Sequence, residues 1–158
     1  MPDTTPPPSA RSIDAQIQAE AHPERVMGEK PAVVDGSNVA HFGETGASVE
    51  NIGLVCDKLI EQGWDPIVIS DAALRHQIDN GSAYERMVRE GTIVQAPAGT
   101  DADYFIWSYA RRLHAHIVSN DRFRDREQAF PEARDRIIRY MILDAEVVLE
   151  QRAKQRRD

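Results

Sequence analysis

Four aspartates are the residues of this sequence best suited to chemistry. Two of them, Asp35 and Asp121, come just after short apolar stretches, which predicts that each ends a buried strand. Neighbouring parallel strands lie about 4.8 Å apart, and ligands gather beyond the carboxyl ends of such strands. Carboxylates held that close repel each other unless a cation lies between them. The pair therefore predicts a metal site, and Mg²⁺, with oxygen ligands at about 2.1 Å, suits it.

Two further acids could join this pair. Asp103 lies in the first turn of a predicted helix, where the helix dipole favours a carboxylate. Asp125 follows Asp121 by four residues, which would place both on one side of a helical turn. Each of these acids alone could equally be a cap or a turn residue, and Asp71 and Asp101 are weaker candidates of the same kind. Together the four acids predict phosphodiester cleavage with one or two cations.

The residues beside the strand-ending acids also suit ligand binding. Gly36 would let a ligand approach the backbone closely. Ser37 and Asn38 could hold a water, a metal ligand or a substrate hydroxyl, although Asn38 could equally cap the following turn. Asn120 offers the same two roles next to Asp121.

Charge is unevenly spread along the chain. The net charge of −7 argues against a general affinity for nucleic acid. Lysine occurs only at Lys30, Lys58 and Lys154, so arginine supplies most of the 19 basic residues, many of them in the second half. The planar fork of arginine suits bidentate contacts to phosphate. The same arginines could equally pair with nearby acids on solvated helix faces, so the total charge alone decides little.

The cellular compartment is predicted from three further features. The apolar fraction of 41% is ordinary, and no stretch approaches the roughly twenty apolar residues that a membrane span needs. Residues 1–8 contain no basic region followed by an apolar run, which argues against a signal peptide. The single cysteine, Cys56, lies on the predicted buried face of a helix. We therefore expect a cytoplasmic protein without disulfides and without a membrane partner.

Strands and helices alternate from residue 31 onward. The predicted strands cover residues 32–35, 66–70, 92–95, 115–119 and 146–149, and the predicted helices cover residues 48–63, 73–78, 82–89 and 102–114. A further helix is predicted to begin at Pro131, with Ile137, Ile138 and Met141 facing inward. This alternation predicts an α/β fold, in which a parallel sheet of about five strands is covered by helices on both faces.

One domain is expected at this length. Residues 1–30 are predicted to be a disordered segment or linker, because their beginning is rich in Pro, Ser and Thr. The domain itself would cover residues 31–150, and residues 151–158 would form a charged tail.

Three segments of the chain resemble the NYN/PIN-like ribonucleases, most closely the regnase-type NYN domain. They are residues 33–40, 103–106 and 117–125, and their order and spacing agree with that family over roughly residues 31–150. The resemblance implies a three-layer α/β/α PIN-like domain with a central, mainly parallel sheet. It also implies a Mg²⁺- or Mn²⁺-dependent endoribonuclease that acts on single-stranded or loop RNA.

The resemblance assigns roles to particular residues of this chain. It implies a catalytic, metal-binding centre made of the four acids with Asn38 beside it; the acids are Asp35, Asp103, Asp121 and Asp125. There is one departure from the family pattern. The regnase helix begins with two adjacent acids, whereas here Ala102 separates Asp101 from Asp103, which leaves the role of Asp101 open.

RNA is the expected partner. Its contacts are predicted at Arg122 and Arg124, which flank Phe123 beside the last acidic strand end, together with Ser37 and Asn120. A homodimer stays open, as does a partner protein that supplies RNA selectivity. Two alternatives also stay open: a DNA-directed nuclease on the same fold, and a catalytically silent RNA-binding or scaffold module. The presence of all four acids argues against silence.

Overall fold

Seven strands and four α-helices occur in the part of the chain that the structure, a computed structural model, describes: residues 30–123 and 130–150. The strands are β1 (Pro31–Asp35), β2 (Asp65–Ser70), β3 (Ile93–Gln95), β4 (His116–Val118), β5 (Ile137–Ile138), β6 (Tyr140–Leu143) and β7 (Glu146–Leu149). The α-helices are α1 (Gly36–Ala40), α2 (Val49–Glu61), α3 (Gly81–Arg89) and α4 (Ala102–Leu113), and two 3₁₀ helices cover Leu74–His76 and Pro131–Arg136.

A five-stranded sheet in the order β3-β2-β1-β4-β5 forms the centre of the fold. All of its strand pairs are parallel, and β1 lies in the middle. Val34 of β1 is in register with Val118 of β4, so the next residues, Asp35 and Ser119, are also close to each other. The sequence prediction that the strands ending near Asp35 and Asp121 are parallel neighbours is therefore confirmed.

Both faces of this sheet are buried. Side chains alternate along a strand, so Val33 and Ile117 pack on the face that α4 covers, through residues such as Phe105. Val34 packs on the opposite face, against α2, α3 and the β6–β7 hairpin. The predicted three-layer α/β/α arrangement with a central parallel sheet is confirmed.

The long helices begin where their capping residues predict. The Ser48 hydroxyl accepts a hydrogen bond from Asn51 N at 3.3 Å and caps α2, whose apolar face is fully or nearly fully buried. Asn80 caps α3 in the same way, accepting from Ala83 N at 3.1 Å. Such a cap contributes about 1 kcal/mol. The segment predicted as a helix over residues 73–78 contains only the 3₁₀ turn Leu74–His76.

The prediction of a helix that begins at Pro131 is wrong, except for the short 3₁₀ helix Pro131–Arg136. The chain leaves the 3₁₀ helix at Ile137, and the two isoleucines form β5, where they pair in parallel with β4. β-Branched side chains are restricted in helices and pack well on a sheet, and here both are buried. Met141, predicted to face inward, is 49% exposed on β6.

The fifth predicted strand also has a different place in the fold. Glu146–Leu149 is a strand, but it pairs antiparallel with β6 in a separate two-stranded hairpin and does not join the central sheet. Asp144 and Ala145 both have positive φ, at 50° and 63°, as a tight two-residue hairpin turn requires. The fifth strand of the parallel sheet is Ile137–Ile138.

The predicted end segments lie almost wholly outside the described residues, which leave out residues 1–29 and 151–158. Within the described part, none of the helices is long and apolar enough to span a lipid bilayer.

Candidate active site

Asp35 is the most buried acid of the described residues that line the candidate site. It ends β1, and its side chain is almost inaccessible, with the residue 6% exposed. Its Oδ2 accepts a hydrogen bond from the Ser119 hydroxyl at 2.8 Å, and its Oδ1 accepts from Asn38 N at 3.3 Å, which caps α1. Both carboxylate oxygens are therefore held by donors, one from α1, which follows β1, and one from the residue that follows β4.

Gly36 permits the sharp start of α1 directly after β1. A Cβ at this position would lie 2.8 Å from Val68 Cγ1 and 2.9 Å from the carbonyl oxygen of Ile69. The close approach predicted at Gly36 is therefore an approach to β2. The glycine lets α1 begin against the sheet, which places the residues after Asp35 at the sheet edge.

Burial raises the pKa of the Asp35 carboxyl from its ordinary value of 3.8 to about 6. The hydrogen bonds from Ser119 and Asn38 oppose this rise, and the charges of Asp103 and Asp121 add to it. Two further carboxylates are thus close enough to repel an ionised Asp35. A positive charge bound in this place would relieve the repulsion and favour the ionised form.

An open cleft of about 310 Å³ lies at the carboxyl edge of the sheet and collects most of the residues predicted for the site. Its lining consists of Asp35, Ser37, Asn38, His41, Ile69, Asp71, Ala102, Asp103, Ile106 and Asp121. Three of the four predicted acids therefore share one cleft. The fourth, Asp125, and the predicted RNA contact Arg124 lie outside the described residues.

Of the two acids of open role, Asp101 is a helix cap and Asp71 accepts a backbone hydrogen bond in a turn. Asp101 begins α4, where its Oδ1 accepts from Tyr104 N at 3.3 Å. Asp71 accepts from Leu74 N at 2.8 Å, although it also lines the cleft. The acid in the first turn of α4, Asp103, is the one that reaches the cleft from this helix.

Asp121 is joined to Asp35 through one hydroxyl. The Ser119 Oγ accepts from Asp121 N at 3.0 Å and donates to Asp35 Oδ2. Asp121 Oδ1 accepts from Phe123 N at 2.9 Å, an aspartate turn that leaves residues 121–123 non-helical. The helical turn predicted to begin at Asp121 is therefore not found over these residues.

Asn38 and Asn120 are linked to each other and to β6. Asn38 Oδ1 accepts from Asn120 N at 3.1 Å and from the Tyr140 hydroxyl at 2.7 Å. The Asn120 side chain donates to Tyr140 O at 3.0 Å and accepts from Tyr140 N at 3.1 Å. Arg139 Nη1 donates to the backbone carbonyls of Ser119 and Asp121. Sequence reasoning missed both Arg139 and Tyr140.

His41 is a further cleft residue that the sequence did not reveal. Its Nδ1 lies 2.8 Å from Ser37 O. A carbonyl oxygen only accepts hydrogen bonds, so Nδ1 must carry the proton in this contact. In the neutral ring Nε2 is then the basic nitrogen.

Arg122, predicted to contact RNA, lies next to the acidic cleft and not among its lining residues. It lines a second cavity of about 420 Å³, together with Phe123, Phe130 and Arg139. Because Arg139 also contacts the carbonyl of Asp121, the second cavity adjoins the loop that carries this acid.

The acids of the cleft offer oxygen donors, which suit Mg²⁺ or Mn²⁺. Within residues 30–123 and 130–150, no three His, Cys, Asp or Glu side chains form a group that could hold an ion by themselves. Mg²⁺ is commonly held by one or two carboxylates, with waters and substrate phosphates completing its shell. The cleft therefore fits a largely hydrated cation better than one enclosed by protein ligands.

The sequence model of the Zc3h12a-like Ribonuclease NYN domain family matches residues 28–158. The chain belongs to this family. The resemblance to a regnase-type NYN domain is thereby confirmed, and the chain carries a domain of a ribonuclease family. No curated protein sequence matches it significantly.

Solved structures share the NYN-domain fold of this chain. Two structures of Arabidopsis thaliana nuclear protein-only RNase P 2 (PRORP2) superimpose on it with TM-scores of 0.69 and 0.70, at 18% and 20% sequence identity. The matches cover 88% and 90% of this chain but 33% of the PRORP2 chain. The chain thus spans about a third of the length of PRORP2. At this level of identity the likeness concerns the fold.

Proposed function

We propose that this NYN domain is a metal-dependent endoribonuclease that hydrolyses phosphodiester bonds of single-stranded or loop RNA. The observation that carries the proposal is the buried carboxyl of Asp35, whose pKa is raised by burial and by the charges of Asp103 and Asp121 in the same cleft. Membership of a ribonuclease family supports the reaction class. Perturbed acids that share a cleft are typical of catalytic sites.

Asp35, Asp103 and Asp121 would hold the cation, Mg²⁺ or Mn²⁺, in part through its bound waters. Asp125, outside the described residues, is the fourth proposed carboxylate, for a second ion or an outer water. When bound, such a cation lowers the pKa of a water and polarises a phosphate oxygen. In the hydrolysis we propose, the water oxygen bonds to phosphorus and the bond from phosphorus to the 3′ oxygen breaks. The products carry a 5′-phosphate and a 3′-hydroxyl.

The remaining cleft residues would orient these groups and the RNA. The Ser119 hydroxyl fixes the Asp35 carboxylate and the start of the Asp121 loop. Ser37 and His41 line the cleft and offer a hydroxyl and an imidazole nitrogen to a substrate. Because the net charge is −7, RNA must be bound by a local group of basic and polar residues and not by the charge of the protein as a whole. We assign this binding to Arg122, beside the cleft, and to Arg124, outside the described residues, together with Ser37 and Asn120.

The proposal is tested by cleavage of labelled single-stranded RNA, hairpin RNA and single-stranded DNA of matched sequence, in a titration with Mg²⁺ and Mn²⁺. We expect cleavage of RNA strands and loops that depends on the cation and is lost in Asp35→Asn and Asp121→Asn. Asp79→Asn is the matched control, because Asp79 is an exposed acid outside the cleft that accepts from Val49 N at 2.9 Å.

The products and substrates separate the alternatives. Equal or better cleavage of DNA would replace the RNA assignment with a DNA-directed nuclease. Binding of RNA without cleavage under any metal condition would identify a scaffold module. A 2′,3′-cyclic phosphate end would overturn the hydrolytic mechanism, because it requires attack by the 2′-hydroxyl of the RNA itself.

A further inference from the structure

Two consecutive residues of the second half of the chain hold the loop that carries Asp121. The carbonyls of Ser119 and Asp121 both accept hydrogen bonds from Arg139 Nη1, at 3.0 Å for Ser119. Between them, the Asn120 side chain exchanges two hydrogen bonds with the backbone of Tyr140. All three residues of the loop, 119–121, are therefore held by these two neighbouring residues. We call Arg139 and Tyr140 the clamp.

The hydroxyl of Tyr140 extends the clamp to Asn38, which lines the cleft. It lies 2.7 Å from Asn38 Oδ1 and 3.1 Å from Asn38 O, and both of these atoms are acceptors. Burial, and after it the charge of Asp35, raises the pKa of Tyr140 above its ordinary value. The hydroxyl therefore keeps its proton and donates. One side chain thus connects β6 to the helix that follows Asp35.

The clamp also fixes which way the Asn38 amide points. A backbone N–H can only donate, so the Asn38 atom that faces Asn120 N must be Oδ1. With Oδ1 occupied by Asn120 N and by the Tyr140 hydroxyl, the amide NH₂ is the group left over. None of the residues that the structure describes accepts a hydrogen bond from it. Because Asn38 lines the cleft, this NH₂ is available to a phosphate oxygen or a water.

We infer that Arg139 and Tyr140 are positioning residues for RNA hydrolysis, which set the place of Asp121 and the orientation of the Asn38 amide relative to Asp35. The inference rests on the proposed function. It goes beyond that function because neither residue belongs to the acidic centre or to the lining of the cleft.

A direct contact of Arg139 with RNA is the competing role, since Arg139 also lines the second cavity. The two roles differ in their kinetic effects. A positioning residue acts on the chemical step, so its loss lowers kcat and leaves KM close to its original value. A phosphate contact acts on binding, so its loss raises KM and weakens the dependence of binding on salt.

Tyr140→Phe removes only the hydroxyl and leaves the ring packed near Phe42, at 5.5 Å between ring centroids. We expect kcat to fall by about 10-fold or more, as is common for residues that orient a metal site from outside, with KM within about twofold. Arg139→Gln should have the same effect, and Arg139→Lys should recover part of the activity because an ammonium can still donate to the carbonyls.

Tyr84→Phe is the matched control. The Tyr84 hydroxyl is also buried and also takes part in two hydrogen bonds, at 2.7 Å with Ser70 Oγ and 2.9 Å with Gln95 Oε1. Its removal should lower Tm about as much as Tyr140→Phe does, while kcat stays at the wild-type value. A loss of kcat in both variants would mean that stability alone explains the effect and would overturn the inference.

Hydrogen exchange of the Asn120 amide tests the clamp without any cleavage. Because this N–H donates to Asn38 Oδ1, its exchange should become faster in Tyr140→Phe and stay unchanged in Tyr84→Phe. Unchanged exchange in Tyr140→Phe, or a rise of KM at constant kcat in Arg139→Gln, would reject the positioning role. If the wild-type chain cuts no RNA, the proposed function fails, and the exchange result still decides whether the clamp orders the loop.

Discussion

The substitution Asp35→Asn tests whether the Asp35 carboxylate stabilises the fold or instead destabilises it and is retained for catalysis. Asn has nearly the size of a protonated Asp and cannot ionise. It can still accept from Asn38 N and can donate to the Ser119 hydroxyl, which are the two groups that hold Asp35. The substitution therefore removes the charge with little change in shape.

The size of the effect follows from the pKa of Asp35. In the folded protein the Asp35 carboxyl keeps its proton up to about pH 6, whereas the ordinary pKa of this group is 3.8. Between these pH values the folded state binds more protons than the unfolded state, so stability falls as pH rises and the loss is complete above about pH 6. At about 1.36 kcal/mol per pKa unit, the ionised Asp35 destabilises the metal-free fold by up to about 3 kcal/mol.

Thermal or urea unfolding without metal, at pH 4 and pH 8, measures this difference. At pH 8 we expect Asp35→Asn to be more stable than the wild type by up to about 3 kcal/mol, at roughly 4 °C in Tm per kcal/mol. Near pH 4 the two proteins should unfold almost together. Comparing the same two proteins at both pH values cancels the contributions of acids that do not interact with Asp35. Added Mg²⁺ should stabilise the wild type and not the variant.

Asp79→Asn serves again as the control, because an exposed acid should change stability by no more than about 0.5 kcal/mol. An Asp35→Asn protein that is clearly less stable than the wild type at pH 8 would refute the reasoning. The carboxylate would then be a structural cap of α1, whose hydrogen bonds outweigh its burial and the repulsion from its neighbours.

Three other substitutions test the rest of the site. Gly36→Ala should lower stability by about 1–3 kcal/mol and reduce cleavage, because its Cβ would meet Val68 Cγ1 at 2.8 Å, and unfolding with an activity assay would measure both. Asn38→Asp keeps an acceptor for both of its donors but replaces the amide NH₂ by oxygen, so we expect a folded protein with strongly reduced kcat. Replacing Arg122 and Arg124 together by Gln should weaken RNA binding. The slope of log affinity against log salt, roughly −2 to −4 before the change at about −0.7 per contact, should become flatter. RNA binding equal to the wild type in this double variant would place the RNA groove elsewhere.

The acids at the strand ends could be predicted because their signal is local. An apolar run followed by Asp and a turn places Asp35 at the end of a buried parallel strand, and the residues before Asp121 repeat the pattern. The parallel arrangement then brings both ends to one edge of the sheet. Asp103 was predicted for a related reason, since its position in the first turn of α4 follows from the helix pattern.

The clamp could not be predicted because its contacts are neither local nor periodic. Arg139 reaches carbonyls 18 and 20 residues earlier in the chain. Every residue has a backbone carbonyl, whatever its side chain is. The residue types at positions 119 and 121 therefore do not indicate that Arg139 binds there. The prediction for the segment of β5 failed for a related reason. With only two residues, this strand is too short for an alternating pattern to distinguish it from a helix.

The buried acid and the clamp depend on each other physically. Asp35 repels Asp103 and Asp121, and in the metal-free protein this repulsion favours any movement of the Asp121 loop away from β1. The Ser119 hydroxyl alone is a single neutral donor between the two acids. Arg139 adds a positive charge and two hydrogen bonds to the same loop, and it is not among the lining residues of the cleft. The clamp can therefore keep the carboxylates close enough to share a cation.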